Sequence, residues 1–178
     1  MKRTIATPGY TIRLAQPGDA SVLALHRALM FRDMNALTEA ALDQHTFDQL
    51  LHSSTPWFER LLVDREYIGW LTLHDEAPHN EIVVSSGGIH LREQGPLPAC
   101  LRTGRWGHIA NVYTAPEHRG RGLARALISE ILSWAKAERL DRITLTASKD
   151  GASLYRSLGF TPTADMELRP KDNSSSVD

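Results

Sequence analysis

WGHIANVYT at residues 106–114, followed after a short turn by RGRGLA at residues 119–124, is the stretch of the sequence that decides the fold. The first segment is typical of a strand. From the second segment to about residue 139, apolar residues recur at the spacing of one helix face. A strand, a Gly-containing turn and a long amphipathic helix in this order predict a crossover helix within an α/β fold.

Two glycines, Gly120 and Gly122, stand where this helix begins. Glycine lets the backbone approach a phosphate closely, and the N–H groups and dipole of a first helical turn favour an anion there. Arg119, Arg121 and Arg125 can add charge-assisted bonds, so the junction suits a pyrophosphate. A turn that only starts a helix is the alternative, because short Gly motifs are weak evidence. The P-loop and dinucleotide-binding patterns do not fit, since the glycines are followed by neither Lys-Ser/Thr nor the third glycine.

The first half of the chain predicts a strand and two helices. Tyr10–Leu14 has the alternation of the strand, and the helix after it ends at about Met34. Residues 35–54 favour no particular element. Thr55 and Pro56 have the residue types of an N-cap and a first helical position, so the second helix is predicted to begin there.

Two strands follow, at residues 67–73 and 82–91, joined by a turn at 75–80. The pair Gly87-Gly88 lies inside the second strand, where glycines indicate a bulge or a close backbone approach. Residues 92–105 form a long loop with several Gly and Pro, and loops of this length are often functional.

After the crossover helix, the sequence predicts a strand at residues 143–147 and a short helix that carries Tyr155. Ser148 precedes this helix, and Gly159 has the residue type of its C-terminal cap. Residues 160–169 are predicted to be extended.

The domain organisation expected from this order is a loose lead-in at residues 1–9, one domain at 10–169 and a disordered tail at 170–178. An early hairpin combined with a later crossover helix implies a mixed sheet in an α/β sandwich.

Composition argues against several classes of function. Lys and Arg number 20 against 21 Asp and Glu, which leaves no basic excess for nucleic acid. The basic N-terminus is followed by no apolar region of a secretory signal, and no apolar run is long enough for a membrane span. We therefore expect a cytoplasmic protein with neither nucleic acid nor a membrane as its partner.

Two motifs together resemble the GNAT acetyltransferase superfamily. Its acetyl-CoA motif, [QR]-x-x-G-x-[GA], fits residues 119–124 at every fixed position, and LYRSLGF at 154–160 is similar to an element near the family's C-terminus. The resemblance covers residues 107–168. It implies the GNAT-like fold, a mixed and mostly antiparallel central sheet flanked by helices in a single α/β domain.

The resemblance also implies roles for individual residues. Backbone groups at the end of the strand would bind the pantetheine arm, and those of the motif would hold the pyrophosphate. These cofactor-binding residues are Val112, Tyr113, Thr114, Arg119, Gly120, Arg121, Gly122, Leu123, Ala124 and, beside them, Arg125. Ser148 stands where many members have an Asn early in the last strand-to-helix turn, and it is a further candidate cofactor-binding residue. Tyr155 occupies the general-acid position, where it would protonate the departing thiolate of CoA.

The general base stays open at this stage. Many members carry a Glu in the central strands as a base that acts through water, whereas this sequence offers His108 and Asn111 on the strand before the motif. Both are candidate catalytic residues, and a structural role is the alternative for each. His74 and His79 have no obvious third ligand beside them, so no metal is expected.

The function implied is transfer of an acetyl group from acetyl-CoA, as co-substrate, directly to an amine through a ternary complex. A small molecule or a peptide could supply the amine, and residues 30–33 and 92–105 are the segments expected to contact it. The alternative is a non-catalytic acyl-CoA-binding regulatory module. The sequence leaves open a homodimer and the use of longer acyl-CoAs.

Overall fold

Alternating apolar side chains place six strands side by side in one sheet, within the residues that the computed structural model describes: 2–35, 42–75, 82–93, 95, 104–166 and 168. The strands are β1 (Arg3–Thr4), β2 (Tyr10–Leu14), β3 (Tyr67–His74), β4 (Ile82–Glu93), β5 (Arg105–Thr114) and β6 (Arg142–Leu145). The α-helices are α1 (Ala20–Asn35), α2 (Gln44–Val63), α3 (Leu123–Ala137) and α4 (Ala152–Ser157), with 3-10 turns at Pro17–Asp19 and Pro116–His118.

Neighbouring strands in the sheet are also neighbours in sequence, in the order β1-β2-β3-β4-β5-β6. Each pair from β1 to β5 is antiparallel, and β6 lies parallel to β5 because α3 carries the chain back across the sheet. The predicted class, an α/β fold with a mixed and mostly antiparallel sheet flanked by helices, is confirmed.

The alternation of β3 shows how the sheet separates the helices. Tyr67 and Leu71 pack against α1 and α2 in one buried cluster, whereas the ring of Trp70 lies 5.7 Å from that of Trp134 on α3. Since successive strand residues point to opposite faces, α1 and α2 cover one face and α3 covers the other.

The predicted start of the second helix at Thr55-Pro56 is wrong. Helix α2 begins at Gln44, and Asp43 caps it by accepting a hydrogen bond from the backbone N–H of Thr46 at 2.6 Å. Pro56 therefore lies inside the helix, where a proline removes one backbone hydrogen bond. The hydroxyl of Thr55 donates to the carbonyl of Leu51 instead of capping a first turn.

The pair Gly87-Gly88 shows both features that glycines inside a strand predict, a bulge and a close backbone approach. The pairing of β4 with β5 shifts register between Ser86 and Gly88, which is the expected bulge. A Cβ on Gly88 would lie 2.6 Å from the hydroxyl oxygen of Tyr67 and 2.4 Å from the carbonyl oxygen of Ile68, so only glycine leaves room for the tyrosine ring.

The chain divides into two compact units, Met1–Thr146 and Ala147–Asp178. In the second unit, Gly159 ends α4 with φ 92°, as predicted. Phe160 N–H donates to the carbonyl of Tyr155 at 3.1 Å, Gly159 N–H donates to that of Arg156, and the Phe160 ring lies 6.0 Å from the Tyr155 ring. Residues 161–166 form no strand. The tail at 170–178 and most residues of the predicted turn at 75–80 and loop at 92–105 lie outside the described residues.

Candidate acetyl-CoA and acceptor site

Strand β5 loses its neighbour β6 halfway along its length. The parallel pairing joins residues 106–109 of β5 to Arg142–Leu145, whereas β5 continues to Thr114. On the β6 side, the backbone of residues 110–114 therefore has no strand partner within the described part of the chain. Such an edge presents N–H and C=O groups to any extended molecule that lies beside it. Val112, Tyr113 and Thr114, the residues predicted to bind the pantetheine arm, lie on this edge.

A bulge in β5 lies at the point where the two strands separate. Asn111 has a left-handed backbone, with φ 59°, and Asn111 and Val112 together face the single residue Gly87 across the ladder. A bulge leaves an extra residue out of regular pairing and redirects its side chain, and such features are frequent next to active sites.

The N-terminus of α3 is open toward solvent. Gly120 and Gly122 have φ values of 74° and 81°, which glycine adopts without strain, and a Cβ at either position would meet no atom within 4 Å. Gly122 is the N-cap, and being a glycine it makes no side-chain hydrogen bond to the first turn. The first N–H groups of the helix are of the kind that can bind an anion.

Protein contacts orient two of the motif arginines. Arg119 donates to the carbonyl of Thr114 at 2.9 Å and pairs with Asp33 at the end of α1. Arg121 donates to the hydroxyl of Tyr10 at 3.1 Å. Protein contacts therefore hold both side chains, and Asp33 compensates the charge of Arg119.

The other motif residues contribute mainly backbone. The Leu123 side chain is buried against Tyr10 and Val84, and Ala124 is half-buried in the first turn. Arg125 is exposed on the same turn. The Leu123 contact anchors the start of α3 to the sheet, so the backbone of the turn is held in place for binding.

A cluster of polar and aromatic side chains lies on the α1 and α2 face of the sheet, next to the bulge. We call it the Arg27 cluster: Arg27, Phe31, Trp57, Tyr67, His90 and Asn111. Arg27 of α1 donates to Asn111 Oδ1 at 2.5 Å, and its guanidinium carbon lies 4.8 Å from the Phe31 ring centroid and 5.2 Å from that of Trp57. The His90 ring lies 4.7 Å from the Tyr67 ring and 5.5 Å from the Trp57 ring.

Burial sets the protonation of this cluster. It raises the pKa of the Tyr67 phenol far above its ordinary value and lowers the pKa of His90 to about 4, with His108 and Arg92 acting in the same direction on His90. Both groups are therefore neutral near pH 7, and Arg27 is the one charged member of the cluster.

His108 faces His90 across the β4–β5 ladder. Its Nδ1 lies 2.9 Å from Thr144 Oγ1, and that hydroxyl lies 3.4 Å from the carbonyl oxygen of Gly107. When the Thr144 hydroxyl donates to this carbonyl, the hydroxyl oxygen can accept a hydrogen bond from Nδ1–H of His108. The lone pair of His108 Nε2 is then left to accept a proton. Burial and the charge of Arg92 lower the pKa of His108, which keeps the ring neutral near pH 7.

Tyr155 and Ser148 belong to the second unit. Burial raises the pKa of the Tyr155 phenol, so this group keeps its proton at neutral pH. Ser148 Oγ accepts a hydrogen bond from the backbone N–H of Gly151 at 3.1 Å, just before α4. Ser148 thus has a local capping contact in addition to its predicted place near the cofactor.

Four members of the Arg27 cluster were not expected from the sequence: Arg27, Trp57, Tyr67 and His90. A partial signal exists, since Arg27 and Phe31 are one helical turn apart and His90 precedes the long loop in a strand. Their meeting depends on strand register and helix packing, which the sequence pattern does not determine. Of residues 30–33, Asp33 pairs with Arg119, and Arg32 lies over the Phe47 ring.

The described residues show neither a metal-binding cluster nor a membrane-spanning helix. The described residues contain no group of three or more His, Cys, Asp or Glu side chains arranged to hold a metal ion. Among the helices that the structure describes, none has both the length and the apolar character needed to cross a membrane.

Solved structures share this fold over nearly their whole length. The chain is 25% identical to a GCN5-related N-acetyltransferase from Ralstonia eutropha JMP134, with a TM-score of 0.76 over 91% of this chain and 99% of that one. It is 27% identical to a predicted acetyltransferase from Clostridium acetobutylicum solved with acetyl-CoA, with a TM-score of 0.74 over 90% and 96% of the two chains.

Curated relatives match over shorter stretches. An uncharacterized N-acetyltransferase, YobR of Bacillus subtilis, is 33% identical over 37% of this chain and 28% of its own length. Glucosamine 6-phosphate N-acetyltransferase of Trypanosoma brucei brucei is 34% identical over 35% of this chain and 44% of its own length. The matches thus span less than half of these two relatives. A Salmonella typhimurium acetyltransferase of L-methionine sulfoximine and L-methionine sulfone is 26% identical over 71% and 77% of the two chains.

The family model named Acetyltransferase (GNAT) family matches residues 24–160, from α1 through the bulge, the Gly-containing turn and Tyr155. This match favours an enzyme over a non-catalytic acyl-CoA-binding module. The chain belongs to the acetyltransferase (GNAT) family, whose members are acyltransferase enzymes that use acetyl-CoA.

Proposed function

We propose that this protein is an N-acetyltransferase that moves the acetyl group of acetyl-CoA directly to a small-molecule amine while both substrates are bound. The observation that carries the proposal is the uncapped N-terminus of α3, where Gly120 and Gly122 leave a positive helix end open beside the free edge of β5. A pyrophosphate at the helix end and an extended pantetheine arm along the strand edge match the two parts of this surface.

The similar proteins support acetyl-CoA as the donor and a small amine as the acceptor. The Clostridium acetobutylicum structure is described with acetyl-CoA, and the names of two curated relatives give small amines, a sugar phosphate and amino acid derivatives, as their acceptors. We therefore place a small amine ahead of a peptide as the acceptor of this chain.

The chemistry requires a neutral amine. Its nitrogen attacks the thioester carbonyl carbon, a C–N bond forms, the C–S bond breaks, and the amine loses a proton while the departing thiolate gains one. His108 is the proposed base because its ring is neutral near pH 7 and, when Nδ1 donates to Thr144, Nε2 is left to accept a proton. Tyr155 is the proposed acid because burial keeps its phenol protonated.

Asn111 has a supporting part in this proposal. Its Oδ1 accepts from Arg27, and its Nδ2 is buried without a hydrogen-bond partner among the described residues. A buried donor without a partner costs free energy, so a substrate oxygen that accepts from Nδ2 would recover it.

Initial-rate kinetics test direct transfer. Release of free CoA is measured with acetyl-CoA varied at several fixed concentrations of the best amine from a panel. A ternary complex gives intersecting double-reciprocal lines. Parallel lines, with exchange of label between acetyl-CoA and CoA in the absence of amine, would instead indicate a covalent acetyl-enzyme and sink the direct mechanism.

A further inference from the structure

Arg27 is a cation without a counter-charge in the part of the chain that the structure describes. There it donates to the neutral amide oxygen of Asn111 and lies beside the rings of Phe31 and Trp57. The side chain is half-buried, and the neighbouring His90 and Tyr67 are neutral at pH 7. Removing a cation from water is costly unless an anion or strong hydrogen bonds replace the solvent, and one amide oxygen replaces it only in part.

Three other cations near this face, by contrast, are paired or solvated. Arg119 pairs with Asp33, and Arg13 pairs with Asp19 at 2.7 Å. Arg32 is exposed, so water solvates it. Arg27 combines partial burial with a position one hydrogen bond away from the β5 bulge, at the start of the free strand edge along which acetyl-CoA is proposed to lie.

A second, independent observation indicates the same ligand chemistry. Asn111 is 5% exposed, and its Nδ2 has no hydrogen-bond partner in the described structure. The remaining N–H groups of the Arg27 guanidinium and the Nδ2 of Asn111 are all donors, whereas the Tyr67 phenol oxygen, which interacts with the Asn111 side chain, is a neutral acceptor and supplies no counter-charge. A set of buried donors around one positive charge suits a planar anion with two acceptor oxygens.

We propose that Arg27, assisted by Asn111 Nδ2, binds a carboxylate of the acceptor, so that the acceptor class is amines with a carboxylate close to the amino group, such as α-amino acids. The inference rests on the proposed acetyltransferase function. A monovalent carboxylate matches the single cation, whereas a phosphate dianion would leave one charge uncompensated in a half-buried site. Arg27 lies one hydrogen bond from the bulge. A molecule that placed its amine at the bulge and its carboxylate on Arg27 would therefore carry the two groups close together.

The aromatic residues also fit this acceptor. The rings of Phe31 and Trp57 both lie within cation–π distance of the guanidinium, and its N–H groups other than the one bonded to Asn111 remain as donors for a carboxylate. A lysine in place of Arg27 would keep the charge and lose both the stacking and the forked donor geometry.

Matched acceptor pairs provide the test. The full-length wild-type chain is assayed for CoA release with L-amino acids and with the amines that differ only by lacking the carboxylate, for example phenylalanine against phenethylamine and methionine against 3-(methylthio)propylamine. We expect kcat/KM for the best amino acid to exceed that of its decarboxylated partner by about 10–100-fold, the value of a charge-assisted hydrogen bond.

Variants then assign this preference to Arg27. Arg27→Gln should remove most of it by raising KM for the amino acid, with little change for the decarboxylated amine or for acetyl-CoA, and Arg27→Lys should restore only part of it. Arg60→Gln is the matched control, because Arg60 pairs with Glu66 and Asp64 on the exposed side of α2. Thermal melts identify a variant that fails to fold, and the wild-type comparison does not depend on any variant.

The outcomes separate this inference from the proposed function. Turnover of decarboxylated amines as fast as, or faster than, amino acids would overturn the carboxylate site and leave acetyl transfer intact. An amino acid preference that survives Arg27→Gln in a folded protein would also overturn it. A failure of every amine, acidic or not, to release CoA would overturn both.

Discussion

At the residue scale, two histidines are candidates for the general base. His90 and His108 face each other across β4 and β5, and burial lowers the pKa of each. Among the described residues, His108 has a hydroxyl partner, Thr144, at 2.9 Å from its Nδ1, and Nε2 is left to accept a proton when Nδ1 donates to that hydroxyl. We expect His108→Gln to reduce kcat/KM by about 10²–10⁴-fold.

The pH profile distinguishes the two candidates. With His108 as base, wild-type kcat/KM falls on the acid side at a pKa below the ordinary histidine value of 6.5, and His108→Gln removes this limb. His90→Gln should keep the limb in place. An acid limb near pH 4 that disappears in His90→Gln would transfer the role to His90, whose pKa is about 4.

Tyr155→Phe tests the general acid. The change keeps the ring and its contact with Phe160 and removes only the hydroxyl. Because burial raises the pKa of this phenol, the wild-type donor stays protonated through neutral pH. We expect kcat to fall by about 10²–10⁴-fold with KM for acetyl-CoA nearly unchanged. A wild-type kcat in the variant, with chemistry shown to limit the rate, would mean that water or the acceptor supplies the proton.

At the element scale, the turn before α3 can be tested by filling it. Gly122→Met places a side chain in open space, so its cost to the fold is limited to the strain of a left-handed backbone, about 1 kcal/mol. The same side chain should obstruct the pyrophosphate. Calorimetric titration with acetyl-CoA is expected to show at least a tenfold loss of affinity.

Gly9→Met is the control for this experiment. Gly9 has φ 79° and equally open space at its Cβ, and it lies in the turn before β2. It should show a similar loss of stability with unchanged affinity for acetyl-CoA. Equal affinities in the two variants would remove the helix N-terminus from the binding site.

The elements differ in how well the sequence predicts them. Strand β5, the turn and α3 were predicted well because the Gly residues, the apolar spacing and the strand pattern act locally. The start of α2 was missed because Thr55 and Pro56 resemble a helix start, whereas tertiary packing of Phe47, Phe58 and Leu61 keeps the helix continuous through the proline. The Arg27 cluster was missed because strand register and the crossing of α1 over the sheet bring its members together.

At the scale of the whole molecule, buried histidines make stability depend on pH. His26 is 5% exposed, its Nδ1 lies 2.8 Å from Ser86 Oγ, and burial lowers its pKa to about 4. In the unfolded chain the pKa of His26 is near 6.5. Between pH 4 and pH 6.5, therefore, the unfolded state binds the proton and the folded state does not. Stability is therefore full above pH 6.5 and decreases as the pH falls toward 4, by up to about 3 kcal/mol for this residue.

Urea unfolding at several pH values measures this dependence. His26→Gln should flatten the curve between pH 6.5 and 4, although His90 retains part of the slope. His52→Gln, a change at an exposed position of α2, should leave the slope unaltered. An unchanged slope in His26→Gln would show that this histidine is not the source.

Amine-dependent release of free CoA from acetyl-CoA is the measurement that tests the central claim most directly. The full-length chain is incubated with acetyl-CoA and a panel of small amines, and free thiol is followed together with the mass of the product. We predict that at least one amine accelerates CoA release and is recovered with one acetyl group on its nitrogen, in equal amounts. Binding of acetyl-CoA without acceleration by any amine on the panel would contradict the assignment of this protein as an N-acetyltransferase of small amines.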